Sequence, residues 1–338
     1  MNSEAIKTIK GRLKNKCRIV LVPHKNPDGD AIGACLGLYH FLQELGHEVS
    51  PVSPNDFPGF LKWMPGSAAF EIFDRNKDRA REIIEKADLV FTLDFNSLDR
   101  SGSMVTALQA CESTFVMIDH HQSPGTYAQI TFSDTKMSST CEMVYHFIQA
   151  LGEGDRIDAK IASCLYTGIL TDTGSFKYAA TTPTTMRVAA ELMERGAPHT
   201  QIHRDIFDTN RPERLQLLGC ALQNLVILKP YRTAYITLTQ EELDRHDFHK
   251  GDTEGFVNYG LSLRDVVLAA IFIENRDEGI IKISLRSQGA FSVNEMARTH
   301  FEGGGHINAA GGRSTETLEA TVRRFESILP EYEKQLSV

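Results

Sequence analysis

Histidine and aspartate gather in four short clusters of this chain, each at the end of an apolar segment. His24, Asp28 and Asp30 fall in His-Lys-Asn-Pro-Asp-Gly-Asp, directly after the apolar run 18–22. Asp94 ends the run 89–93, Asp119-His120-His121 ends the run 115–118, and Asp172 stands where a helical pattern over 157–171 stops. Taken singly, each has an ordinary reading: Asp28-Gly29 as a turn, Asp30 as a helix N-cap, His24 as a solvated side chain. Asp172 as a plain turn residue is less comfortable, because a carboxylate there faces the negative end of a helix dipole. Three strand-like runs delivering acids or histidines at their carboxyl ends point to one shared site. If Asp28, Asp30, Asp94 and Asp172 converge, they cannot all stay ionised without a compensating charge, and no lysine or arginine cluster accompanies these motifs. Divalent cations would compensate, and mixed carboxylate and imidazole ligands suit manganese better than a structural zinc site. Two such ions side by side are a device for in-line attack on phosphorus.

The elements that must position these residues follow α/β patterning. Short apolar runs at 18–22, 89–93 and 115–118 suit strands buried on both faces of a parallel sheet. Helical periodicity covers 31–45, 139–151 and 157–171, with Gly46 as a C-cap and a Gly-Glu-Gly-Asp turn at 152–155. In such sheets ligands bind beyond the carboxyl ends of the strands, where the clusters lie. We expect a parallel-sheet domain over 1–183, a helical connector over 184–225, and a smaller α/β domain over 226–338. In the last, strands are expected over 231–238, 266–274 and 280–285. Leu318, Val322, Phe325 and Leu329 form the apolar stripe of a terminal helix.

His-x-x-x-Asp-x-Asp, a strand-end aspartate, Asp-His-His and Thr-Asp-Thr-Gly, in this order over residues 24–174, resemble the DHH superfamily of phosphoesterases. The resemblance implies two metal ions, usually manganese, with magnesium or another divalent ion as a substitute. His24, Asp28 and Asp94 would hold one ion; Asp30, Asp94, His120 and Asp172 would hold the other, with Asp94 bridging. It further implies a hydroxide between the ions as nucleophile, His121 contacting the scissile phosphate or assisting proton transfer, and Asp119 orienting from behind.

In the second domain, Gly303-Gly304-Gly305-His306-Ile307-Asn308-Ala309-Ala310-Gly311-Gly312 is rich enough in glycine for its backbone to approach a ligand closely. Its amides could form an anion-binding nest, or the segment could be a simple surface turn. No Gly-Lys-Ser/Thr follows, so it is not a Walker A loop. The segment resembles the glycine-rich motif of the DHH-associated C-terminal domain. By that resemblance Gly304, Gly305, His306 and Asn308 bind substrate, as do Arg286 and Ser287 at a strand end, Arg264 before another strand, and Arg100 after Asp94. For each arginine a solvated surface charge is the alternative. Phe176 and Tyr178 could stack a base, although packing is the commoner use of aromatics. Chain size and domain order resemble the bifunctional nano-RNases and phosphoadenosine phosphate phosphatases. That implies hydrolysis of short RNA oligonucleotides to mononucleotides and of 3′-phosphoadenosine 5′-phosphate to AMP and phosphate. The alternatives are a cyclic or linear dinucleotide phosphodiesterase and a catalytically silent nucleotide sensor.

Composition narrows the field further. A formal charge of −8 over 338 residues argues against wrapping long nucleic acid, which needs a basic face, but leaves short oligonucleotides and phosphorylated nucleotides open. The six cysteines show no Cys-x-x-Cys pair, which argues against a zinc ribbon or a disulfide framework. No apolar stretch approaches the ~20 residues that span a bilayer, and the polar start lacks a signal-like segment. A cytoplasmic protein without a membrane partner is expected, and the resemblance is compatible with a homodimer.

Overall fold

In the first β-strand, alternate residues enter two different cores, so both faces must be covered. The computed structural model describes residues 3–337, and the chain divides at Thr209/Asn210 into two units. In the first unit, β1 (Arg18–Pro23), β2 (Glu48–Ser53), β3 (Glu71–Ile72), β4 (Leu89–Leu93), β5 (Thr114–Asp119) and β6 (Ile130–Ser133) form one sheet. All neighbours are parallel, in the order β3-β2-β1-β4-β5-β6. Its helices are α1 (Ser3–Arg12), α2 (Gly29–Glu44), α3 (Lys77–Glu85), α4 (Val105–Gln109), α5 (Thr140–Ala150), α6 (Ala159–Asp172), α7 (Pro183–Glu194) and α8 (His199–Phe207). Ile19, Leu21, Phe91 and Ile118 pack against α2, α5 and α6 on one face. Val20, Val22, Val90 and Phe115 pack with Ala80 and Ile84 of α3 and Leu108 of α4 on the other. This double burial is why β1, β4 and β5 read as unbroken apolar runs.

Strand order reverses between β1 and β4. At such a switch point the loops leaving the two strands diverge and open a crevice at their carboxyl ends. His24 and Asp94 immediately follow those two strands. β2 gives no apolar run, because Pro51 interrupts it. The proline is accommodated since β3 pairs only from Val52 onward, leaving no partner beyond Pro51 on that side.

Helices α2 and α6 approach closely enough to exclude a side chain at two contact points. A methyl group at Gly33 would lie 2.6 Å from the Cys164 carbonyl oxygen, and one at Gly168 would lie 2.1 Å from Cys141 Sγ and 2.8 Å from Asp30 Oδ1. Within the stretch 184–225, α7 and α8 contribute Val188, Leu192 and Ile202 to the core of the first unit.

The second unit contains α9 (Pro212–Gln223), β7 (Val226–Leu228), β8 (Thr233–Leu238), α10 (Gln240–Arg245), α11 (Val257–Leu261), β9 (Leu268–Asn275), β10 (Ile280–Ser287), α12 (Val293–His300), β11 (Gly304–Gly305), β12 (Ala309–Ser314), α13 (Leu318–Ile328) and α14 (Glu333–Leu336). Its sheet runs β11-β12-β10-β9-β8-β7, antiparallel except for the parallel pair β8–β9. One face carries α12 and α13, with Phe325 of α13 buried against Phe272. The other carries Leu217 and Ala221 of α9 beside Ile236 and Ile271. Leu318, Phe325 and Leu329 are buried, and Val322 partly so. All six cysteines are free thiols, and among the described residues no helix is long and apolar enough to cross a membrane.

The α2–α6 contact yields a stability prediction. Gly168→Ala should lower the urea midpoint of the first unit, at a cost of about 1–3 kcal/mol for overpacking. An unchanged midpoint would show that the helices can separate freely at this position.

Candidate metal centre

Eight side chains from five loops and helix ends of the first unit meet beyond the carboxyl edge of its sheet. Their donor atoms form three groups, each within 4.8 Å: His24, Asp28 and Asp94; Asp30, His120 and Asp172; and Asp94, His121 and Asp119. Asp94 belongs to two of them. His24 Nε2 lies 3.4 Å from Asp94 Oδ2, while His120 Nε2 lies 3.5 Å from Asp94 Oδ1 and 3.5 Å from Asp172 Oδ2. The aspartate thus reaches one cluster with each oxygen.

Local structure explains each placement. Asp28 is the N-cap of α2 and accepts from the amides of Asp30 and Ala31, both at 3.1 Å. The cap is therefore Asp28 rather than Asp30, and capping coexists with a place in the cluster. Asp30 is buried in the first turn, its two oxygens accepting from the amides of Thr140 (2.6 Å) and Cys141 (2.9 Å) at the start of α5. Asp94 has a φ of 66°, a left-handed conformation that aspartate tolerates better than branched residues. The Thr140 hydroxyl donates to Asp94 Oδ1 at 2.9 Å. Asp172 is the last residue of α6. The loop bearing His24 is tied on both sides, the Lys25 amide donating to the Arg100 carbonyl at 2.6 Å and the Asn26 amide to Asn55 Oδ1 at 2.8 Å. Asn96 Nδ2 donates to the carbonyl of Gln122, holding the chain just past His121.

The imidazoles are set up as ligands. Nδ1 of His24 meets the Lys25 carbonyl at 2.8 Å, and Nδ1 of His120 meets the Met137 carbonyl at 3.2 Å. A carbonyl can only accept, so both Nδ1 atoms carry hydrogen and Nε2 faces the acids, the arrangement of metal-binding histidines. His121 differs: its Nδ1 donates to Asp119 Oδ1 at 2.8 Å, and its amide donates to Asp119 Oδ2 at 3.1 Å. Asp119 is wholly buried and serves to orient His121.

Without a cation the electrostatics conflict. Burial, then the charges of Asp94 and Asp172, push the Asp30 carboxyl well above the usual carboxylate range. Yet both its oxygens accept amide hydrogens, the pattern of an ionised group. Burial would lower the pKa of His24, but Asp28 and Asp94 outweigh it and push the imidazole up to about 10. Burial likewise opposes the charge on His120, and Asp94 and Asp172 raise its pKa well above the ordinary value. Burial would also raise Asp94, whose hydrogen bonds to His120 and His24 instead hold it far below. Protons on the imidazoles thus stand where divalent cations would remove the conflict, and the donor set fits such cations.

The residues expected in the second unit have mixed placements. Ser287 is buried, donates to the Phe291 carbonyl at 2.6 Å, and accepts from Asn308 Nδ2 at 2.9 Å. These two side chains join the end of β10 to the glycine-rich segment. That segment is a β11–β12 hairpin and not a nest. The amides of Gly303, Gly305 and His306 donate to Ala297 O, Asn294 Oδ1 and Ala309 O. Gly303 and Gly305 are required by close backbone contact, since a methyl at Gly303 would sit 2.0 Å from the Gly311 carbonyl oxygen and one at Gly305 2.5 Å from that of Ala309. Gly304 pairs with Gly311, Arg286 is half-buried on β10 opposite Ala309, and Arg264 is exposed before β9. Arg100 is half-buried. Phe176 packs edge-on against Tyr166, while Tyr178 is exposed.

Thr140, the amides of residues 140 and 141, and the Met137 carbonyl were not foreseen. The available signal was Ser139, three residues before Glu142, which marks a helix start. Ser139 does cap α5, accepting from the Glu142 amide.

The DHH family, N-terminal domain, matches residues 18–169, and the DHHA1 domain matches residues 231–336. The chain is 31% identical to the bifunctional oligoribonuclease and PAP phosphatase NrnA of Thermus thermophilus, over 97% of this chain and 93% of that protein. The crystal structure of an exopolyphosphatase-related protein from Bacteroides fragilis aligns at a TM-score of 0.95 and 40% identity, covering 100% of this chain and 98% of that one. RecJ from Thermus thermophilus in complex with Mn2+, 16% identical, shares the fold at a TM-score of 0.56, covering 98% of this chain and 54% of that one.

The two-sided position of Asp94 predicts its role in ion binding. Manganese at about a hundredfold above its dissociation constant should stabilise the protein by about 2.7 kcal/mol, read as a rise in melting temperature. Asp94→Asn should fold but lose most of that rise. An equal rise in the variant would exclude Asp94 as a ligand.

Proposed function

The chain belongs to the DHH family of metal-dependent phosphoesterases, and on that footing we propose that it hydrolyses short RNA oligonucleotides to mononucleotides and 3′-phosphoadenosine 5′-phosphate to AMP and phosphate. The observation that carries the proposal is the position of Asp94, in contact range of both His24 and His120. It supports one ion held by His24, Asp28 and Asp94, and a second by Asp30, Asp94, His120 and Asp172. Such ions, manganese by the chemistry of the donors, would neutralise phosphoryl charge and acidify water. That the Thermus thermophilus relative is a bifunctional oligoribonuclease and PAP phosphatase supports the choice of substrates.

The chain's own residues then have distinct tasks. Asp119 fixes the ring of His121, whose Nδ1 also lies 3.6 Å from Asp94 Oδ1, beside the metal ligands. That place suits contact with a non-bridging phosphate oxygen or proton transfer to the leaving group. The amide donors on Asp30 and the threonine hydroxyl on Asp94 keep both carboxylates oriented as phosphate charge approaches. We assign substrate contacts in the second unit to Arg286, Arg264, His306 and the glycine hairpin, with Ser287 and Asn308 acting by holding Arg286 and the hairpin in register. Arg100 would bind phosphate through its side chain while its carbonyl secures the His24 loop. In this reading residues 1–183 supply the chemistry and 226–338 the choice of substrate.

The test compares manganese-dependent turnover of an RNA dinucleotide, 3′-phosphoadenosine 5′-phosphate, pyrophosphate and a cyclic dinucleotide. Preferred turnover of the first two is expected; dominance of either of the others would overturn the substrate assignment while keeping the centre. Arg286→Ala should raise KM by about tenfold or more, the worth of a charge-assisted hydrogen bond to phosphate. Unchanged kinetics would remove Arg286 from substrate binding.

A further inference from the structure

One five-residue stretch, 137–141, touches three members of the cluster. The Met137 carbonyl accepts from His120 Nδ1, the Thr140 and Cys141 amides donate to Asp30, and the Thr140 hydroxyl donates to Asp94. None of these atoms need be a ligand, yet together they set the rotamers of residues from three separate loops. The stretch must itself be immobile to do this. It precedes and opens α5, where free amides would otherwise fray.

What holds it from behind is Glu142, a carboxylate with only 1% of its surface exposed. Its Oε2 accepts from the amide and hydroxyl of Ser138 and, at 3.0 Å, from the hydroxyl of Thr185 in the first turn of α7. Thr185 is in turn locked into the capping box of α7 with Thr182. A buried carboxylate is costly unless its oxygens are well satisfied, and this one is satisfied by the segment that braces the centre and by a helix packed beside it. The other oxygen, Oε1, lies 3.8 Å from His146 Nε2, beyond hydrogen-bonding distance. Burial opposes ionisation of Glu142, but His146, Ser138 and Thr185 together hold its pKa below the usual range.

We infer that Glu142 is a positioning residue for the metal centre, acting through Ser138 and the 137–141 brace on Asp30, Asp94 and His120. This rests on the reading of that centre as a divalent-ion site. The side chain has no place among the grouped ligand atoms, so its effect is on ion affinity through geometry and not through coordination. Partners that orient metal ligands typically change affinity ten- to hundredfold when removed.

The experiment is calorimetric titration of Mn2+ into the metal-stripped full-length chain. Glu142→Ala should weaken Mn2+ binding by about ten- to hundredfold while the circular dichroism spectrum is retained. Glu142→Gln should bind close to wild type, because its carbonyl oxygen can replace Oε2 and its amide nitrogen fits toward His146. Should Glu142→Ala fail to fold, Ser138→Ala removes one hydroxyl from the same carboxylate with little change in packing, and a severalfold loss of affinity is expected. A folded Glu142→Ala or Ser138→Ala protein that binds Mn2+ like wild type would overturn the inference. Failure of the wild-type chain to bind any divalent ion would overturn both the inference and the metal reading beneath it, an outcome visible before any variant is examined.

Discussion

Carboxylates drawn together at one end of a buried sheet repel each other, and the arrangement of the first unit answers that repulsion. Asp30 and Asp94 are almost wholly buried, and Asp28 and Asp172 lie close by. Burial alone makes each charge expensive. Part of the cost is offset by hydrogen bonds from the start of α5, where the first amides have no partner within the helix and the dipole is positive. Part is offset by His24 and His120, whose raised pKa values record the same unmet demand for positive charge. Two divalent ions would meet it more completely, which is why the cluster makes chemical sense as a metal centre and poor sense as a structural core.

Topology decides where this can happen. The reversal of strand order between β1 and β4 parts two loops that would otherwise crowd each other, and His24 and Asp94 sit at its two sides. The crevice is then furnished by elements distant in sequence: α2 supplies Asp28 and Asp30, α6 supplies Asp172, and α5 supplies the brace. Asp30 can approach the end of α6 only because Gly168 leaves room for its carboxylate. A packing constraint between helices is in this way also a constraint on the ligand set.

The second unit shows the limits of assigning roles by motif. Its glycine-rich segment is conformationally special for a steric reason, the closeness of two hairpin strands, and its amides are largely spent inside the fold. Ser287 and Asn308 bond to one another. Arg286, on the strand they stabilise, is the group whose chemistry suits a phosphate.

Much of the centre was legible in the sequence because parallel strands buried on both faces must be apolar, and the polar residue that ends each run must emerge at the same edge. Runs 89–93 and 115–118 therefore located Asp94 and the Asp-His-His triplet, and helical periodicity located α2, α5 and α6 within about two residues. β2 escaped notice because Pro51 breaks its pattern, and β3 and β6 because strands of two and four residues carry too little periodicity. The chain itself determined which residue types could bind metal and that they lay at strand ends. Only the tertiary structure decided that Asp28 rather than Asp30 caps α2, that Thr140 holds Asp94, and that the glycines serve a hairpin. The Thr140–Asp94 contact joins residues 46 apart, which no local pattern encodes, and the other two outcomes turn on which of several locally permitted hydrogen bonds and close contacts the packed chain selects.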